Sequence, residues 1–491
     1  MSTAEHVPER LLSVAPRYRA DLTPLQNGHF TVYHDDLRAA AGRLGIDLTV
    51  LAGDDGPSAP GVLPCLPGRE PGPLADAVAT QVRPGDVVMV YEGSLPLLRA
   101  LHPVARAHPA VTFVVNLFGP EDGIDGPADL ARLDGHGPAA DPSAARSGPG
   151  TDLPDNLRVT AETPERVVLA RAAGIPVRAA WALHSTITTV PSPVDDARRP
   201  ARPGPLRVLV PLRAGGFDPD PVGDVAHVLH RLRREVGPDR VRLSVTRHDA
   251  GRLDARVRGD RLARLGATIV APGADSTAYA ALIAAHDAVW LTGAAAPSGF
   301  SYRTQSSGKT LDALVAGVPV VGVAGTSPAR EPLRWTGLPL GYRTRDEALA
   351  ALLRLLADDG AVAARLRAQQ ADLRTTHSPE ATIRRVLAVA AHDGDAWDAP
   401  LLDRPADLAP DAGLLEGLRG TRPGGTRPDG LRPSLRTLTT TLTTTLTTTL
   451  VVRRTVRIPV SRRAWWALRQ RLSRLKAAVV SRRRQAPPSS P

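Results

Sequence analysis

The residues best suited to bind a charged ligand stand together between positions 303 and 309. Two serines and a glycine precede an apolar stretch with helical spacing. A serine there caps free backbone amides, and a glycine lets a ligand approach the backbone. An arginine and a lysine add positive charge at a helix N-terminus, which already attracts anions. The side chains concerned are Arg303, Ser306, Ser307, Gly308 and Lys309. The segment predicts an anion site, with a simple helix cap as the alternative.

A carboxylate follows about one helical turn later, at Asp312. An acid in dinucleotide-binding folds accepts hydrogen bonds from ribose hydroxyls, so Asp312 is a candidate for the same contact. The triplet Gly-Lys-Thr at 308–310 has the ending of a P-loop, but that motif requires a glycine where Arg303 stands. We therefore reject a P-loop and keep an anion site beside a ribose contact.

An alternation of strands and helices must position these residues. Continuous apolar runs, typical of parallel strands buried on both faces, are separated by segments with helical periodicity. Strands are predicted at 11–15, 46–51, 86–91, 111–117, 158–161 and 177–180, and then at 206–212, 241–245, 268–270, 288–291 and 318–323. Helices are predicted at 28–44, 163–173, 222–236, 276–286, 308–316, 345–357, 360–374 and 379–391. This order predicts an α/β fold of two doubly wound, Rossmann-like domains.

Composition marks the domain boundaries. A proline-rich joint at 190–205 suits a linker between domains, and the stretch 119–157 is predicted to be a long loop. The predicted units are 1–196, 206–395, a Pro/Gly- and Thr-rich linker at 396–450 and a basic tail at 451–491. Ligands of open α/β sheets bind beyond the carboxyl ends of the strands, so we expect the site in a cleft between the two domains.

Composition also excludes several classes of protein. The 491 residues are 42% hydrophobic, which is enough for packed cores and argues against a wholly disordered chain. A single cysteine, Cys65, excludes an intramolecular disulfide framework and any multi-cysteine metal or redox motif. The first residues carry acids and no apolar signal segment, and no run of about 18 apolar residues occurs. We therefore expect a cytoplasmic protein.

The net charge of +11 belongs to the tail. Residues 451–491 hold twelve Arg and Lys and no acid, whereas the other 450 residues carry 49 basic and 50 acidic side chains. Five apolar residues of the tail fall within about 80° of a helical wheel. They are Trp465, Leu468, Leu472, Leu475 and Val479. A basic amphipathic helix with tryptophan favours docking to an anionic membrane surface. A solvated tail is the main alternative, and nucleic acid is not the expected partner.

The segment YRTQSSGKTLDALVAGVPVVGVAGT at 302–326 resembles the donor-binding segment of GT-B glycosyltransferases, in particular the retaining family 4 (group 1) enzymes. In those enzymes a loop, a helix carrying an acid and the pattern A-x-G-x-P-V-V form the nucleotide-sugar site. The stretch Asn-Gly-His at 27–29 is similar to their first acceptor-side loop. The stretch 206–216 is similar to the start of their nucleotide domain, where a basic residue meets the diphosphate.

The resemblance covers about 28–395 and implies transfer of a sugar from a nucleoside-diphosphate donor to a glycan, lipid-linked or small-molecule acceptor. It implies no metal and no further cofactor. The negative charge of the leaving diphosphate would be stabilised by Arg213, Arg303 or Lys309, together with backbone amides. Glu331, after the last strand of the segment, is a candidate contact of the donor sugar.

On the acceptor side the resemblance points to two residues. His29 is a candidate general base if the enzyme inverts, and shaping of the acceptor pocket is its alternative role. Glu92 ends the predicted strand 86–91 on the side of the expected cleft, so it is a candidate acceptor group, with a plain turn residue as the alternative. The tail would bring the enzyme to the cytoplasmic face of a membrane, where lipid-linked glycans or envelope polymers are assembled.

The donor motif departs from the family pattern at two places. Retaining members carry two glutamates with seven residues between them, and Thr304 and Asp312 stand at these positions here. The lysine usual a few residues after the position of Arg213 is replaced by Phe-Asp-Pro at 217–219, and Lys309 is the candidate to supply that charge. Two alternatives follow: a nucleotide-sugar epimerase of the same architecture, or a scaffold that kept the fold without the activity.

The membrane hypothesis predicts the outcome of liposome flotation. The full chain is expected to float with vesicles that contain phosphatidylglycerol and to stay at the bottom of the gradient with vesicles of phosphatidylcholine alone. This difference is expected because basic side chains are attracted to anionic lipid, by about 1 kcal/mol each near the surface. Deletion of residues 451–491 is expected to abolish flotation. Equal flotation with and without these residues would remove the hypothesis.

Overall fold

Two parallel β-sheets and the helices that cover them make up the described part of the computed structural model. The described residues are 10–18, 29–56, 59–118, 153–172, 174–180, 204–211, 221–246, 262–264, 266–271, 276–292, 308–323, 340–342, 344–358 and 360–391. No helix in these ranges has the length and the apolar content needed to cross a lipid bilayer.

The first sheet has seven described strands, all parallel to their neighbours. These are β1 (Leu11–Ala15), β2 (Leu48–Gly53), β3 (Val62–Leu66), β4 (Val87–Gly93), β5 (Thr112–Leu117), β6 (Leu157–Ala161) and β7 (Val177–Ala180). The accompanying helices are α1 (His29–Leu44), α2 (Pro71–Ala79), α3 (Leu95–Ala107) and α4 (Pro164–Ala172). The strands lie in the order β3-β2-β1-β4-β5-β6-β7. The direction of winding reverses between β1 and β4, which makes that position the topological switch point.

The second sheet repeats this arrangement with six described strands. These are β8 (Leu206–Val210), β9 (Val241–Thr246), β10 (Thr268–Val270), β11 (Ala288–Trp290), β12 (Val320–Val323) and β13 (Gly341–Tyr342). The accompanying helices are α5 (Pro221–Val236), α6 (Ser276–Ala284), α7 (Gly308–Val315), α8 (Arg345–Ala357), α9 (Ala361–Ala368), α10 (Gln370–Thr376) and α11 (Pro379–Ala391). The order β10-β9-β8-β11-β12-β13 places the second switch point between β8 and β11.

Apolar side chains fill both faces of each sheet. On the first sheet, α2, α3 and α4 cover one face around Phe113, while α1 and α11 cover the other around Leu37. On the second sheet, α5 and α8 cover one face around Leu229, and α6 and α7 cover the other around Leu314. Burying one such side chain stabilises the fold by about 1.5–3 kcal/mol, so these layers hold the strand ends in place.

An Arg–Asp ion pair lies at the amino edge of each switch point. Asp86, directly before β4, accepts hydrogen bonds from Arg10 Nε at 3.2 Å and Nη2 at 2.7 Å. Asp287, directly before β11, accepts from the backbone amide of Arg207 at 2.8 Å and from its Nη2 at 3.0 Å. Both carboxylates are almost completely buried, with side chains 2% exposed. A buried carboxylate needs such partners, so each pair holds two strands of the switch point together.

Helix α11 follows the second sheet in the chain but packs on the first. Ile383 belongs to the apolar cluster that covers β1 and β4. Arg43 of α1 donates from Nε to Glu380 at 2.7 Å, and Arg158 of β6 donates from Nη1 to the carbonyl of Val389 at 2.6 Å. Both ends of α11 are therefore tied to the first sheet and its covering helix.

Most predicted elements are confirmed, and three differ. Strand β3 was not predicted, because it is a short edge strand that is half exposed and contains Pro64, a residue tolerated only at edges or bulges. The two-residue β13 was also not predicted. The single helix predicted at 360–374 is wrong: the chain turns at Gln369, where φ is −101° and ψ is 6°, and α9 and α10 form separate helices. The linker at 396–450, the tail at 451–491 and most of the loop at 119–157 lie outside the described residues.

Removal of the buried carboxylate of Asp287 is expected to destabilise the protein. In Asp287→Asn, Arg207 loses its charged partner at the amino edge of the switch point, and we expect a loss of about 2 kcal/mol in the free energy of unfolding. Urea unfolding at pH 7 measures it. Glu235→Gln removes one partner of an exposed pair with Arg231 at 3.2 Å, and we expect a change below about 0.5 kcal/mol. Equal losses in the two variants would contradict this role of Asp287.

The Arg43–Glu380 pair is expected to make stability depend on pH. Burial alone would raise the pKa of Glu380, but hydrogen bonds from its own backbone amide and from Arg43 lower the pKa below its ordinary 4.5. A lowered pKa in the folded state stabilises the protein above the ordinary value, and this contribution is lost as the pH falls below it. Glu380→Gln is therefore expected to cost about 0.5 kcal/mol at pH 7. Urea unfolding should show this gap closing below about pH 4.5; a gap independent of pH would contradict the pair's contribution.

Candidate functional site

The carboxyl edge of the second sheet carries the candidate anion site. Helix α7 begins there at Gly308, which is buried, and its face with Ala313 and Leu314 packs on the sheet. The helix ends at Gly317, whose φ of +72° is one that few side chains other than glycine adopt. Gln370 of α10 donates to the carbonyl of Val315 at 2.7 Å and so caps the last turn. Both ends of α7 are fixed, and its first turn stays at the edge of the sheet.

Lys309 connects the two strands of the second switch point. It lies in the first turn of α7, the helix that follows β11, yet its Nζ is 3.4 Å from the carbonyl oxygen of Pro211, directly after β8. The ammonium group therefore stands at the end of β8, two residues before Arg213. Lys309 thus brings a positive charge to the end of β8, and its role as a substitute for the lysine of the family pattern stays a prediction.

Asp312 lies one turn beyond Lys309 and is completely buried. Its neighbour across the helix pair is Tyr279 of α6, a residue that sequence reasoning missed. Burial raises the pKa of Tyr279, and the nearby Asp312 carboxylate raises it further. The chain has only six tyrosines. The signal in the sequence was that Tyr279 comes soon after a predicted strand and loop. A cation, a carboxylate and a phenol hydroxyl thus lie along α6 and α7.

Three further polar groups at this edge are buried and have no hydrogen-bond partner among the described residues. They are Oγ1 of Thr246, Nε1 of Trp290 and Oγ1 of Thr310. Thr246 ends β9, Trp290 ends β11 and Thr310 lies in the first turn of α7. A buried polar group without a partner costs about 1–3 kcal/mol, so a residue outside the described ranges or a ligand would stabilise each of them.

The carboxyl edge of the first sheet has a different chemistry. Glu92 of β4 pairs with Arg17, which follows β1, at 3.1 Å between Oε1 and Nε. The Glu92 side chain is 9% exposed, so it is a buried, paired carboxylate and not a turn residue in solvent. Glu162, directly after β6, and Arg166 of α4 add a second acid and a second base, and both are buried. Of these four charged side chains, sequence reasoning identified only Glu92.

Aromatic rings line the same part of the first sheet. Tyr91 of β4 lies between Tyr33 and Phe118, with ring centroids 4.6 Å and 5.0 Å away. Burial raises the pKa of Tyr91, and the carboxylate of Glu162 raises it further. His34 of α1 is buried, with its Nδ1 3.2 Å from Oγ of Ser13. These rings form a largely apolar surface beside the Glu92–Arg17 pair.

Several predicted site residues cannot be placed in this geometry. His29 begins α1, but its side chain lies outside the described residues, as do Arg213, Arg303, Ser306, Ser307, Glu331 and Thr304. The structure thus brings Gly308, Lys309 and Asp312 together at one edge and places Glu92 at the corresponding edge of the other sheet. The roles of the remaining residues stay predictions.

Comparison with solved structures supplies the fold family. No protein-family model matches the sequence, and no curated protein is significantly similar to it. A glycosyltransferase from Rickettsia africae ESF-5 is similar to the chain with a TM-score of 0.52 at 11% identity, covering 78% of this chain and 98% of that one. The structure titled trehalose-6-phosphate from E. coli, bound with UDP-2-fluoro glucose, gives 0.49 at 12% identity over 78% and 99% of the chains. A putative UDP-N-acetylglucosamine 2-epimerase from Listeria monocytogenes gives 0.45 at 13% over 78% and 95%.

The likeness to the Rickettsia protein confirms the predicted fold class. The chain has the GT-B architecture of two Rossmann-like sheets, one with seven described strands and one with six. At 11% identity this likeness establishes the fold and not the reaction. The chemistry must therefore be argued from the residues at the two carboxyl edges.

Proposed function

We propose that this chain is a glycosyltransferase that moves a sugar from a nucleoside-diphosphate donor to a hydroxyl group of a glycan, lipid-linked or small-molecule acceptor. The observation that carries the proposal is the position of Lys309, whose ammonium group reaches the end of β8 from the first turn of α7. A cation at the switch point, above the free amides of a helix N-terminus, suits a diphosphate. Asp312, one turn along, suits the ribose of the same nucleotide.

In this proposal the second sheet stabilises the leaving group. Negative charge develops on the diphosphate as the bond to the sugar breaks, and Lys309 with the first amides of α7 is positioned to stabilise it. Arg213 and Arg303 would add to this charge, Ser306 and Ser307 would line the turn, and Glu331 would contact the donor sugar. None of these steps requires a metal ion or a further cofactor.

The first sheet would hold the acceptor. Glu92 is oriented by Arg17 and stands beside aromatic rings, a combination that suits a hydroxylated acceptor with apolar ring faces. Holding the acceptor hydroxyl close to the sugar would accelerate the reaction through proximity. His29 would act as the base if the enzyme inverts, whereas retention, the outcome in family 4 enzymes, would not need it. In the same proposal the tail at 451–491 docks the enzyme to the cytoplasmic face of a membrane.

Nucleoside diphosphates test the donor site directly. UDP or GDP is expected to raise the melting temperature of the full chain, since a ligand at 100 times its Kd stabilises the folded state by about 2.7 kcal/mol. Lys309→Ala is expected to weaken this binding about tenfold or more, because it removes a charge-assisted contact to phosphate. Arg234→Ala, which removes an exposed cation on α5, is the matched control and should bind as the wild type does. The absence of a shift with any nucleoside diphosphate would count against the proposal.

Incubation with a panel of nucleotide sugars separates the reaction classes. A glycosyltransferase releases the nucleoside diphosphate and places the sugar on an acceptor or on water. An epimerase instead returns an isomer of the intact nucleotide sugar. Nucleotide binding without either product would identify a scaffold.

A further inference from the structure

Two threonine hydroxyl groups are buried at the carboxyl edge of the second sheet. Oγ1 of Thr246 and Oγ1 of Thr310 have no hydrogen-bond partner among the described residues, and both residues are 2% exposed. A buried hydroxyl without a partner destabilises a fold. Two of them at one edge therefore indicate a requirement other than stability, and such departures are expected at functional sites.

Thr246 lies beside the end of β8. In the parallel register of β8 and β9, Val210 is opposite Val245. The next positions, Pro211 and Thr246, are therefore also neighbours, about 4.8 Å apart. Val245 packs in the apolar cluster on the face that α5 and α8 cover. Because successive side chains of a strand point to opposite faces, Thr246 lies on the face that α6 and α7 cover.

Thr310 approaches the same point from the helix. It is the third residue of α7, and Ala313 and Leu314, three and four positions later, pack on the sheet. Residues at these spacings share one side of a helix. Thr310 therefore faces the sheet one turn nearer to its carboxyl edge, on the same face as Thr246.

Lys309 adds a positive charge to these two hydroxyl groups. Its Nζ is 3.4 Å from the carbonyl oxygen of Pro211, the residue beside Thr246, and it directly precedes Thr310 in the chain. An ammonium group and two hydroxyl groups are thus collected around the end of β8. Trp290, whose buried Nε1 also has no partner within the described ranges, belongs to the cluster on the opposite face of the sheet.

Three hydrogen-bond donors around one point match a terminal phosphate group. Such a group has three oxygens that accept strong hydrogen bonds and carries up to two negative charges. Hydroxyl and ammonium groups both donate to such oxygens, and these charge-assisted bonds are the stronger ones. The free amides at the start of α7 favour the same negative charge.

We propose that Thr246 and Thr310 are specificity-determining residues of the donor site, and that each donates a hydrogen bond to the terminal phosphate whose charge Lys309 neutralises. The assignment rests on the proposed function, because the nucleoside diphosphate must lie at the N-terminus of α7. The site then selects diphosphates over monophosphates. A nucleoside monophosphate with its nucleoside in the same place has no second phosphate to reach the two hydroxyl groups.

Calorimetric titration of the full chain with UDP, GDP, UMP and GMP tests this selection. The wild type is expected to bind each diphosphate about tenfold or more tightly than its monophosphate. Thr246→Val and Thr310→Val keep the shape of the side chain and remove the hydroxyl. Each is expected to weaken binding of the diphosphates about tenfold, the effect of one hydrogen bond to a charged group. Each should leave the affinity for the monophosphates unchanged.

The melting temperature without nucleotide distinguishes a ligand-binding hydroxyl from a structural one. Thr246→Val and Thr310→Val are each expected to melt above the wild type, because each removes a buried polar group that has no partner. Thr160→Val is the matched control in the first sheet. Oγ1 of Thr160 donates to Oδ1 of Asn116 at 3.2 Å, so its loss should lower the melting temperature and leave every nucleotide affinity unchanged.

The inference is overturned if the two variants bind diphosphates as the wild type does, or if binding of diphosphates and monophosphates weakens by the same factor. Melting below the wild type would show that the hydroxyl groups are structural and would also overturn it. A loss of affinity in only one variant contradicts the paired assignment. If the wild type binds diphosphates and monophosphates equally, this inference alone fails, whereas the proposed function itself fails if the wild type binds no nucleoside diphosphate.

Discussion

A buried carboxylate at the amino edge of each sheet is the constraint on which the structure depends. Parallel strands have evenly spaced hydrogen bonds, so the ladder alone does not prevent a shift of register. Asp86 and Asp287 remove this freedom, because each is enclosed and bonded to the arginine of the neighbouring strand. With the amino ends fixed, β1 and β4 in one sheet and β8 and β11 in the other deliver their carboxyl ends side by side. Among the described candidates, Glu92 lies at the carboxyl end of β4 and the ammonium group of Lys309 reaches the carboxyl end of β8.

The two carboxyl edges differ in charge, and the difference suits two kinds of substrate. At the first edge the described acid Glu92 is paired with Arg17, and the rings of Tyr33 and Tyr91 pack against each other. At the second edge Lys309 and the helix N-terminus are positive, while Asp312 is set one turn deeper. A negatively charged ligand gains more at the second edge, whereas a neutral hydroxylated ligand loses little at the first. This difference supports the proposed reaction between a charged donor and a neutral acceptor.

Helix α11 connects the second sheet, which it follows in the chain, with the first sheet, on which it packs. It follows the second sheet in the chain but is held to the first by Arg43 and by Arg158. Leu311 of α7 belongs to the same apolar cluster as Ile383 of α11. The helix that carries Lys309 and Asp312 therefore rests on the layer that covers the first sheet. Because packed interiors resist deformation, the position of α7 depends on the packing of α11.

The amino-acid sequence alone was sufficient for the alternation of strands and helices, because buried strands and amphipathic helices leave their periods in short stretches of chain. It also sufficed to place Lys309 and Asp312 on one helix and Glu92 at the end of a strand, whereas their functional roles stay predictions. It was insufficient for contacts between distant residues. The Arg10–Asp86 pair spans 76 positions, and the contact of Lys309 with Pro211 spans 98. Such contacts, like the approach of Tyr279 to Asp312, arise from the order in which strands assemble, and no local periodicity encodes that order.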